Sequence, residues 1–284
     1  MLFRVGGVPE HFNLPWKQAL ADNAFAIAGL DVRYTDYPEG TGKLTRDLRD
    51  DELDVALVLT EGAVADIIEH GSNQLVKVYV SSPLTWGIHV AANSDIRHIG
   101  DIRDRRIAIS RYGSGSHLIA IVDAAERGWP TDSMAFEIVN NLDGARAALA
   151  AGAADVFLWE KHMTQPLVDN GEFRRVGQRE VPWPAFVVSV RRSLLPAAAP
   201  ALRCMLDIVA RYGRNLSRNQ SAPALIAETY GLRLRDAESW LATVRWSGSY
   251  RRPNAALERT IRALEAQGVI AAGTGDQDAL WQPI

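Results

Sequence analysis

The feature that most limits the fold is an alternation of short apolar runs with amphipathic helical stretches, which continues as far as Arg192. This alternation predicts parallel strands joined by crossover helices. Beyond Arg192 the sequence is almost entirely helical in pattern. The predicted strands are 2–5, 31–35, 55–59, 75–80, 87–91, 106–110, 136–139, 156–159 and 185–190, and the predicted helices between them are 15–28, 43–49, 62–70, 116–127 and 144–151.

Two parts of the chain share one plan. The stretch GKLTRDLRDDELDVALVLTE (42–61) and the stretch GARAALAAGAADVFLWE (144–160) both run from Gly through a short helix to an Asp-Val pair. In both, that pair opens an apolar strand that ends in Glu. The segments before them, FRVGGVPEHFNLPWKQAL and IAISRYGSGSHLIAIV, are each a strand, a polar loop with Gly and a helix. The repeat predicts two similar α/β units.

Extended runs beside Pro or Gly connect the two units. The chain leaves the first unit at about 85–93 and returns at about 181–191, so both crossings are predicted to be strand-like. A two-stranded hinge of this kind permits rigid-body closure around a ligand. We therefore expect a discontinuous lobe I of residues 1–88 and 189–284, a lobe II of residues 89–188, and a ligand cleft between them.

Composition excludes several classes of function. The net charge is −3, from 31 basic and 34 acidic residues, so no overall basic field favours nucleic acid or an anionic membrane surface. No window reaches the roughly 18 to 20 apolar residues of a membrane span, and we expect no membrane insertion. Cys204 is the only cysteine, and no Cys or His cluster has zinc spacing. We expect neither a metal nor a cofactor.

The first residues, MLFRVGGVPEHF, enter a strand-like run without a charged leader and an apolar stretch. As written, the sequence predicts a cytoplasmic protein. A periplasmic or extracytoplasmic location is the alternative if a leader has been removed.

The loops that follow the predicted strands indicate where a ligand binds. In an open α/β sheet, ligands lie outside the carboxyl ends of the strands. Six loops occupy such positions: 6–16, 38–41, 60–62, 111–117, 140–143 and 159–162.

The loop RYGSGSH (111–117) has the strongest local pattern. Gly113 and Gly115 permit positive φ or close approach of a ligand, and Ser114 and Ser116 can cap the following helix. The free amides and the dipole of that helix favour an anion. An ordinary capped turn is the alternative.

Aromatic residues give the predicted cleft apolar surfaces that an organic ligand can contact. Trp16, Trp86, Trp159 and Trp183 fall in the loops or crossings. Their flat faces with one polar edge suit an aromatic or aliphatic ligand.

Nucleotide and hydrolase motifs are incomplete. EGTGKLT (39–45) lacks the first Gly of a P-loop and has Leu44 where Ser or Thr should follow the Gly-Lys pair. GSGSH has Gly115 where a nucleophile elbow needs Ser. Neither ATP hydrolysis nor serine hydrolysis is supported.

The order of these segments resembles the type II periplasmic binding protein superfamily. The similar segments are GGVPEHFNLPWKQAL, DELDVALVLTEG, SRYGSGSHL and AGAADVFLWE, within residues 1–192. Within the superfamily, the chain looks most similar to the branch of alkanesulfonate, taurine and thiamine-pyrimidine binding proteins, related to the NMT1/THI5-like group. The resemblance implies a two-lobed α/β fold with two mixed sheets flanked by helices, a two-stranded hinge and a helical C-terminal tail.

The resemblance also implies a function. Such proteins enclose a small organic ligand between two lobes, here an anionic or aromatic one, and pass it to an ABC-transporter permease without catalysis. The residues that the resemblance places on the cleft are His11, Asn13, Trp16, Thr41, Thr60, Glu61, Trp86, Arg111, Tyr112, Gly113, Ser114, Gly115, Ser116, His117, Trp159 and Glu160.

A cytosolic enzyme on the same fold is the alternative, either a lyase of the menaquinone-pathway type or an enzyme related to pyrimidine precursors. His11, His117, Glu61 and Glu160 could act as acids or bases if the cleft shifts their pKa values. The pyrimidine synthases of this fold carry a cysteine-rich motif that the chain lacks. Cys204 has apolar neighbours in the tail and is expected to be buried. The balance favours a binding protein.

Overall fold

Ten strands form two five-stranded sheets in the computed structural model, which describes residues 1–284. The first, sheet A, has the spatial order β2-β1-β3-β10-β4. Its strands β1 to β3 are parallel, and β10 is antiparallel to both β3 and β4. The strands of sheet A are β1 Leu2–Gly7, β2 Asp31–Asp36, β3 Val55–Leu59, β4 Asn73–Val80 and β10 Phe186–Arg191.

The second, sheet B, has the spatial order β7-β6-β8-β5-β9. Strand β6 is parallel to β7 and β8, whereas β5 is antiparallel to both β8 and β9. Its strands are β5 Thr85–Ala91, β6 Ile107–Ile109, β7 Phe136–Ile138, β8 Val156–Glu160 and β9 Phe173–Glu180. Because the two orders match position by position, the sheets explain the repeat seen in the sequence. The predicted pair of mixed sheets flanked by helices is confirmed.

Helices cover both sheets and form the C-terminal tail. Those that follow strands of sheet A are α1 Leu14–Ala21, α2 Ala24–Ile27, α3 Thr41–Arg49 and α4 Thr60–His70. Those of sheet B are α5 Gly115–Glu126, α6 Leu142–Ala151 and α7 Gln165–Asp169. The tail consists of α8 Leu195–Arg218, α9 Ala222–Tyr230, α10 Leu234–Thr243, α11 Asn254–Ala266 and α12 Gln277–Leu280. Short 3-10 turns lie at His11–Asn13, Ile99–Ile102 and Arg192–Leu194.

Two antiparallel segments connect the sheets. The chain passes from sheet A to sheet B at residues 81–84 and returns at residues 181–185. The segments lie side by side, since Val181 N donates to Leu84 O (3.2 Å) and Ala185 N donates to Ser82 O (3.0 Å). This is the geometry of a two-stranded hinge. The lobe boundaries predicted at 88/89 and 188/189 stay a prediction, and we call the bodies built on sheets A and B lobe I and lobe II.

Two elements differ from the sequence prediction. Strand β9, FRRVGQRE, was not predicted because its charged residues obscure the alternation that identifies a strand. It lies at an edge of sheet B, where charged side chains are tolerated. The single helix predicted over 15–28 is divided into α1 and α2, because Asn23 adopts a left-handed conformation with φ 53°.

The tail contains one helix that is long and apolar enough, by length and composition alone, to cross a membrane. The sequence prediction that no such segment exists was therefore wrong. Leu202, Met205 and Val209 on α8 are buried in the hydrophobic core, and a core helix passes the same test. Cys204 is exposed on the opposite face of α8, so the prediction of a buried cysteine was also wrong. Apolar neighbours in sequence do not bury a residue that lies on the outer face of an amphipathic helix.

Candidate functional site

A cavity lies between the two sheets, and we call it the cleft cavity. It is bordered by segments at or just after the carboxyl ends of β1, β2, β3, β6 and β8, together with the hinge. Its lining residues are Val8, Glu10, Glu39, Gly40, Thr41, Leu59, Leu84, Trp86, Ser110, Arg111, Ser114, Gly115, Ser116, Trp159, Glu160 and Phe186.

The N-terminus of α5 faces the cleft cavity from lobe II. Ser114 is the N-cap, and its hydroxyl accepts from the His117 amide (3.4 Å). The Ser116 hydroxyl accepts from the Ser110 amide (3.0 Å) and lies 3.0 Å from the Ser114 hydroxyl. The backbone amides of Gly115 and Ser116 have no hydrogen-bond acceptor. Two buried donors therefore remain free at the positive end of a helix dipole.

The N-terminus of α3 faces the same cavity from lobe I. Gly40 precedes it with φ 75°, a conformation that favours glycine. The Gly40 carbonyl accepts from the amides of Lys43 and Leu44, whereas the amides of Thr41 and Gly42 have no acceptor. Two helix N-termini, one from each lobe, therefore converge on one cavity.

Arg111 adds a positive charge between these helix ends. Its Nη1 donates to the backbone carbonyl of Glu39 across the cleft (2.8 Å), and no carboxylate forms an ion pair with it. Burial, assisted by the charge of Arg46, lowers the pKa of Arg111 from its ordinary value. Gly42 makes room for the guanidinium, because a Cβ there would overlap it. We call this part of the cavity, with the amides of α3 and α5, the anion end.

Two glutamic acid side chains, those of Glu10 and Glu160, also line the cavity. Glu10 is 8% exposed and Glu160 is 4% exposed. The Glu10 carboxyl makes no hydrogen bond, and burial raises its pKa to about 7. Glu160 Oε2 accepts from the Met163 amide (2.6 Å). Burial, followed by the nearby charge of Glu10, raises the pKa of Glu160 to about 8.

His11 lies behind Glu160, with 3.7 Å between Nε2 and Oε2. Burial lowers the pKa of His11 well below 6.5, and the raised pKa of Glu160 favours the neutral acid near pH 7. The contact is therefore between two uncharged groups rather than an ion pair. Neither ring nitrogen of His11 has a hydrogen-bond partner, and the ring stacks on Trp240 with 4.1 Å between centroids.

Two tryptophans form the lobe II wall of the cavity. Trp86 on β5 is paired with Glu160 on β8, and its indole Nε1 is buried without a partner. Its ring lies against Gly115, where a Cβ would be 2.9 Å from Trp86 Cη2. Trp159 stacks on Phe157 with 5.2 Å between ring centroids. The wall combines apolar surface with an unpaired donor.

Half of the residues predicted for the site line the cleft cavity. They are Thr41, Trp86, Arg111, Ser114, Gly115, Ser116, Trp159 and Glu160.

The structure places Trp16 and Asn13 elsewhere. Trp16 is fully buried and packs near Phe25 and Tyr34, with centroid distances of 5.7 and 6.1 Å. Asn13 Nδ2 donates to the carbonyl of Val8 (2.8 Å) and holds the loop that follows β1. Both residues follow the correct strand, but their side chains point into lobe I.

Thr60 and Glu61 support the hinge. The Thr60 hydroxyl donates to the carbonyl of Pro184, and Glu61 Oε2 accepts from the indole N–H of Trp183 (2.8 Å). Because they lie one and two residues beyond β3, they contact the returning hinge segment rather than the cavity.

Tyr112, Gly113 and His117 lie on an outer groove between the lobes, not on the cleft cavity. Tyr112 is 62% exposed. His117 Nδ1 accepts from the amide of Gly113 (3.1 Å), so this histidine closes the loop from outside.

Eight lining residues were not singled out from the sequence. Glu10, Glu39 and Gly40 lie in loops that were predicted to face a ligand, so only the choice of residue was missed. Leu84 and Phe186 reach the cavity through the hinge, which depends on strand pairing that sequence patterns do not specify. The others are Val8, Leu59 and Ser110.

Comparison with known proteins gives one family model and three solved structures that are similar to this chain. The family model described as Ca3427-like PBP matches residues 86–179. No curated protein matches the chain. The CA3427 gene product of Candida albicans, described as having the generic periplasmic binding protein structural fold, is 25% identical over 99% of this chain and 96% of its own, with a TM-score of 0.91.

Two sulfonate-binding proteins are also similar in structure. The alkanesulfonate-binding protein SsuA from Xanthomonas axonopodis pv. citri, solved bound to MOPS, is 17% identical over 100% of this chain and 98% of its own, with a TM-score of 0.84. The periplasmic aliphatic sulphonate binding protein SsuA from Escherichia coli is 16% identical over 98% of this chain and 96% of its own, with a TM-score of 0.74.

Proposed function

From the premise that the chain has the type II periplasmic-binding-protein fold, we propose that it is a solute-binding protein for a small organic anion of the sulfonate class. One observation carries the proposal. Free amides of two helix N-termini and an Arg111 guanidinium without a carboxylate partner converge on one cavity. Such a concentration of positive potential is stabilised by an anion.

A sulfonate suits the anion end chemically. It stays ionised at any pH at which the protein is folded, and its three oxygens can accept from several donors at once. The amides of Thr41, Gly115 and Ser116, which line the cavity, have no acceptor, and the guanidinium of Arg111 has a backbone carbonyl but no carboxylate as its partner. The SsuA relatives, whose names state sulfonate binding, support the same class.

Closure of the lobes links binding to conformation. Arg111 of lobe II donates to Glu39 of lobe I, and Gly115 of lobe II lies against Leu59 of lobe I. A ligand held by both helix ends favours the closed state over an open one. By analogy with periplasmic binding proteins, the proposed partner of the closed state is an ABC-transporter permease.

The test is calorimetric titration with methanesulfonate, ethanesulfonate, benzenesulfonate and MOPS. Binding should raise the free energy of unfolding by about 2.7 kcal/mol when a ligand is present at 100 times its Kd. Arg111→Ala should weaken the affinity roughly 100-fold, because Arg111 is the only positively charged side chain that lines the cavity.

Arg46→Ala is the matched control, since Arg46 is an exposed arginine near Arg111 that does not line the cavity. Equal losses in both variants, or no loss in Arg111→Ala, would contradict the proposal. Product formation detected by mass spectrometry would favour the enzyme alternative instead.

A further inference from the structure

Resting on the proposed function, we propose that the protein takes up protons at Glu10 and Glu160 when its lobes close on the anion, so that its affinity falls as the pH rises above neutrality. The two carboxyl groups would then act as a pH-sensitive switch between capture and release. The position of both side chains and the groups that surround them support this coupling.

The two carboxyl groups belong to different lobes. Glu10 follows β1 in lobe I, and Glu160 is the last residue of β8 in lobe II. Both line the cleft cavity between the sheets, and both are more than nine-tenths buried. His11 of lobe I contacts Glu160 of lobe II, with 3.7 Å between Nε2 and Oε2. Because the two lobes enclose the cavity together, opening at the hinge would admit water to both carboxyl groups.

Few donors and no cation compensate this pair of carboxyl groups. The Glu10 carboxyl makes no hydrogen bond, and Glu160 Oε2 accepts from the Met163 amide (2.6 Å). No lysine or arginine forms an ion pair with either residue. The nitrogens of Arg175, whose charge acts on Glu160, are hydrogen-bonded to other groups. A buried carboxyl with so few partners is more stable as the neutral acid.

The closed state therefore favours the protonated form of both groups. Burial raises the pKa of Glu10 to about 7, and burial followed by the charge of Glu10 raises the pKa of Glu160 to about 8. A glutamic acid in water has an ordinary pKa of 4.5. Closure at a pH between the ordinary and the raised values takes up protons, and this contribution to affinity is lost as the pH rises through the raised values. A bound sulfonate acts in the same direction, because its fixed negative charge also disfavours carboxylates in the same cavity.

Other titratable groups near the pair limit the pH range in which the switch acts. The titratable or charged groups around it are His11, Tyr34, Lys161, His162, Arg175, Tyr230 and, elsewhere on the cavity, Glu39 and Arg111. Burial lowers the pKa of both histidines, so closure releases any proton that they carry in the open protein. This opposite effect is confined to pH values near or below their ordinary pKa of 6.5. Above about pH 7, uptake by the two carboxyl groups is the larger effect.

Calorimetric titration with ethanesulfonate and benzenesulfonate measures the coupling, because neither probe exchanges a proton. The binding enthalpy is measured in bis-Tris, imidazole and Tris, cationic buffers of different ionisation enthalpy that do not compete for an anion site. At about pH 7.2 its dependence on the buffer should show an uptake of roughly one proton per sulfonate bound. The affinity should fall roughly tenfold between about pH 7 and about pH 8.5.

Two variants remove the titrating groups and keep the shape of the side chains. Glu160→Gln should take up less than about half as many protons as the natural protein, and Glu10→Gln should lose a smaller part, because the pKa of Glu160 is the higher. In both variants the affinity should depend less steeply on pH. Glu39→Gln is the matched control, since Glu39 is an exposed residue that lines the same cavity. It should leave the number of protons unchanged, and melting temperatures check that all three variants fold.

The outcomes separate the switch from the proposed function. If the natural protein binds a sulfonate without taking up protons, the switch is overturned and the anion site stands. If the uptake persists unchanged in both Glu10→Gln and Glu160→Gln, the assignment to these two residues is overturned. If neither sulfonate binds, the proposed function itself is overturned, and with it the switch that rests on it.

Discussion

The two sheets have the same strand order, yet different helices bring their N-termini to the cleft cavity. In lobe II this helix is α5, which follows the second strand in the spatial order, β6. The equivalent helix in lobe I is α1, which follows β1 and does not line the cavity. Lobe I uses α3 instead. Topological equivalence therefore does not determine which helix end is available.

Local sequence explains the difference between α1 and α5. Before α1 a 3-10 turn intervenes, so that the Leu14 amide donates to His11 O, and Pro15 has no N–H to offer. In contrast, α5 begins directly after its cap at Ser114, which leaves two amides free. The residues of the first helical turn, and not the position of the helix in the fold, therefore determine whether backbone amides are free to bind a ligand.

A second difference concerns the carboxyls that close each repeat. Glu61 lies two residues after the central strand of sheet A, Glu160 is the last residue of the central strand of sheet B, and both are buried. Glu61 is held by the Trp183 indole at the hinge, whereas Glu160 faces the cavity. The carboxyl lies at the end of the central strand in lobe II but two residues beyond it in lobe I, so Glu160 lines the cavity whereas Glu61 contacts the hinge.

Trp16→Ala should have the largest effect on stability. It tests whether the loop and helix that follow β1 contact the ligand, as those that follow β6 are proposed to do. Trp16→Ala leaves a cavity in the core of lobe I and should lower the free energy of unfolding by about 3 to 5 kcal/mol in urea titrations. Affinity of the folded protein for a sulfonate should stay within threefold. Trp16→Phe provides a milder variant that retains the fold. An affinity loss at unchanged stability would instead place Trp16 on the ligand.

The pH dependence of stability of Glu61→Gln should distinguish Glu61, which contacts the hinge, from Glu160, which lines the cavity. Burial raises the pKa of Glu61 to about 7, from an ordinary value of 4.5. Between these values the folded protein holds a proton that the unfolded chain has released, so stability falls as the pH rises through this window. The free energy of unfolding of Glu61→Gln should therefore rise by about 2 kcal/mol relative to that of the natural protein between roughly pH 5 and pH 8.

Urea unfolding of both proteins across this pH range measures the difference between their free energies of unfolding. The contributions of all other titrating groups are the same in both proteins and cancel in this difference. Glu69→Gln, an exposed change on the same helix, is the control. Parallel pH curves for Glu61→Gln and the natural protein would show that Glu61 does not titrate in this window.

Gly115→Ala should have the smallest effect and test how closely the lobes approach. The new Cβ would lie 2.6 Å from Leu59 Cδ1 and 2.9 Å from the rigid Trp86 ring. We expect a roughly tenfold loss of sulfonate affinity, about 1.4 kcal/mol, because the new Cβ obstructs closure against Leu59 and displaces the Trp86 ring on the cavity wall. Gly100→Ala, where a Cβ meets nothing, should change neither affinity nor stability. Unaltered affinity in Gly115→Ala would mean that the contact with Leu59 is not needed for binding.

Much of the fold was predictable because it depends on local patterns. Apolar runs and helical periodicity located nine of the ten strands, and the repeat indicated two similar units. Strand β9 escaped because an edge strand with charged side chains lacks the alternation of a half-buried one. The loop at 111–117 was predictable for the same local reason, since glycines and serines before a helix define a capped N-terminus.

The cavity residues were predictable only in part. Trp86, Trp159 and Trp16 all lie in predicted loops or crossings, but only the first two face the cavity. An indole in a loop has the same sequence pattern whether it packs inward or outward. Leu84 and Phe186 come together with the site only because the two hinge segments pair.

The sequence by itself determined the strands and helices, the two-unit plan and the capped loop of α5, because periodicity and turn chemistry act over a few residues. Only the tertiary structure decided that α3 rather than α1 supplies the second helix end, and that Glu10 and Glu160 line the same cavity. Those choices depend on how side chains from distant segments pack against one another, and no local pattern records that packing.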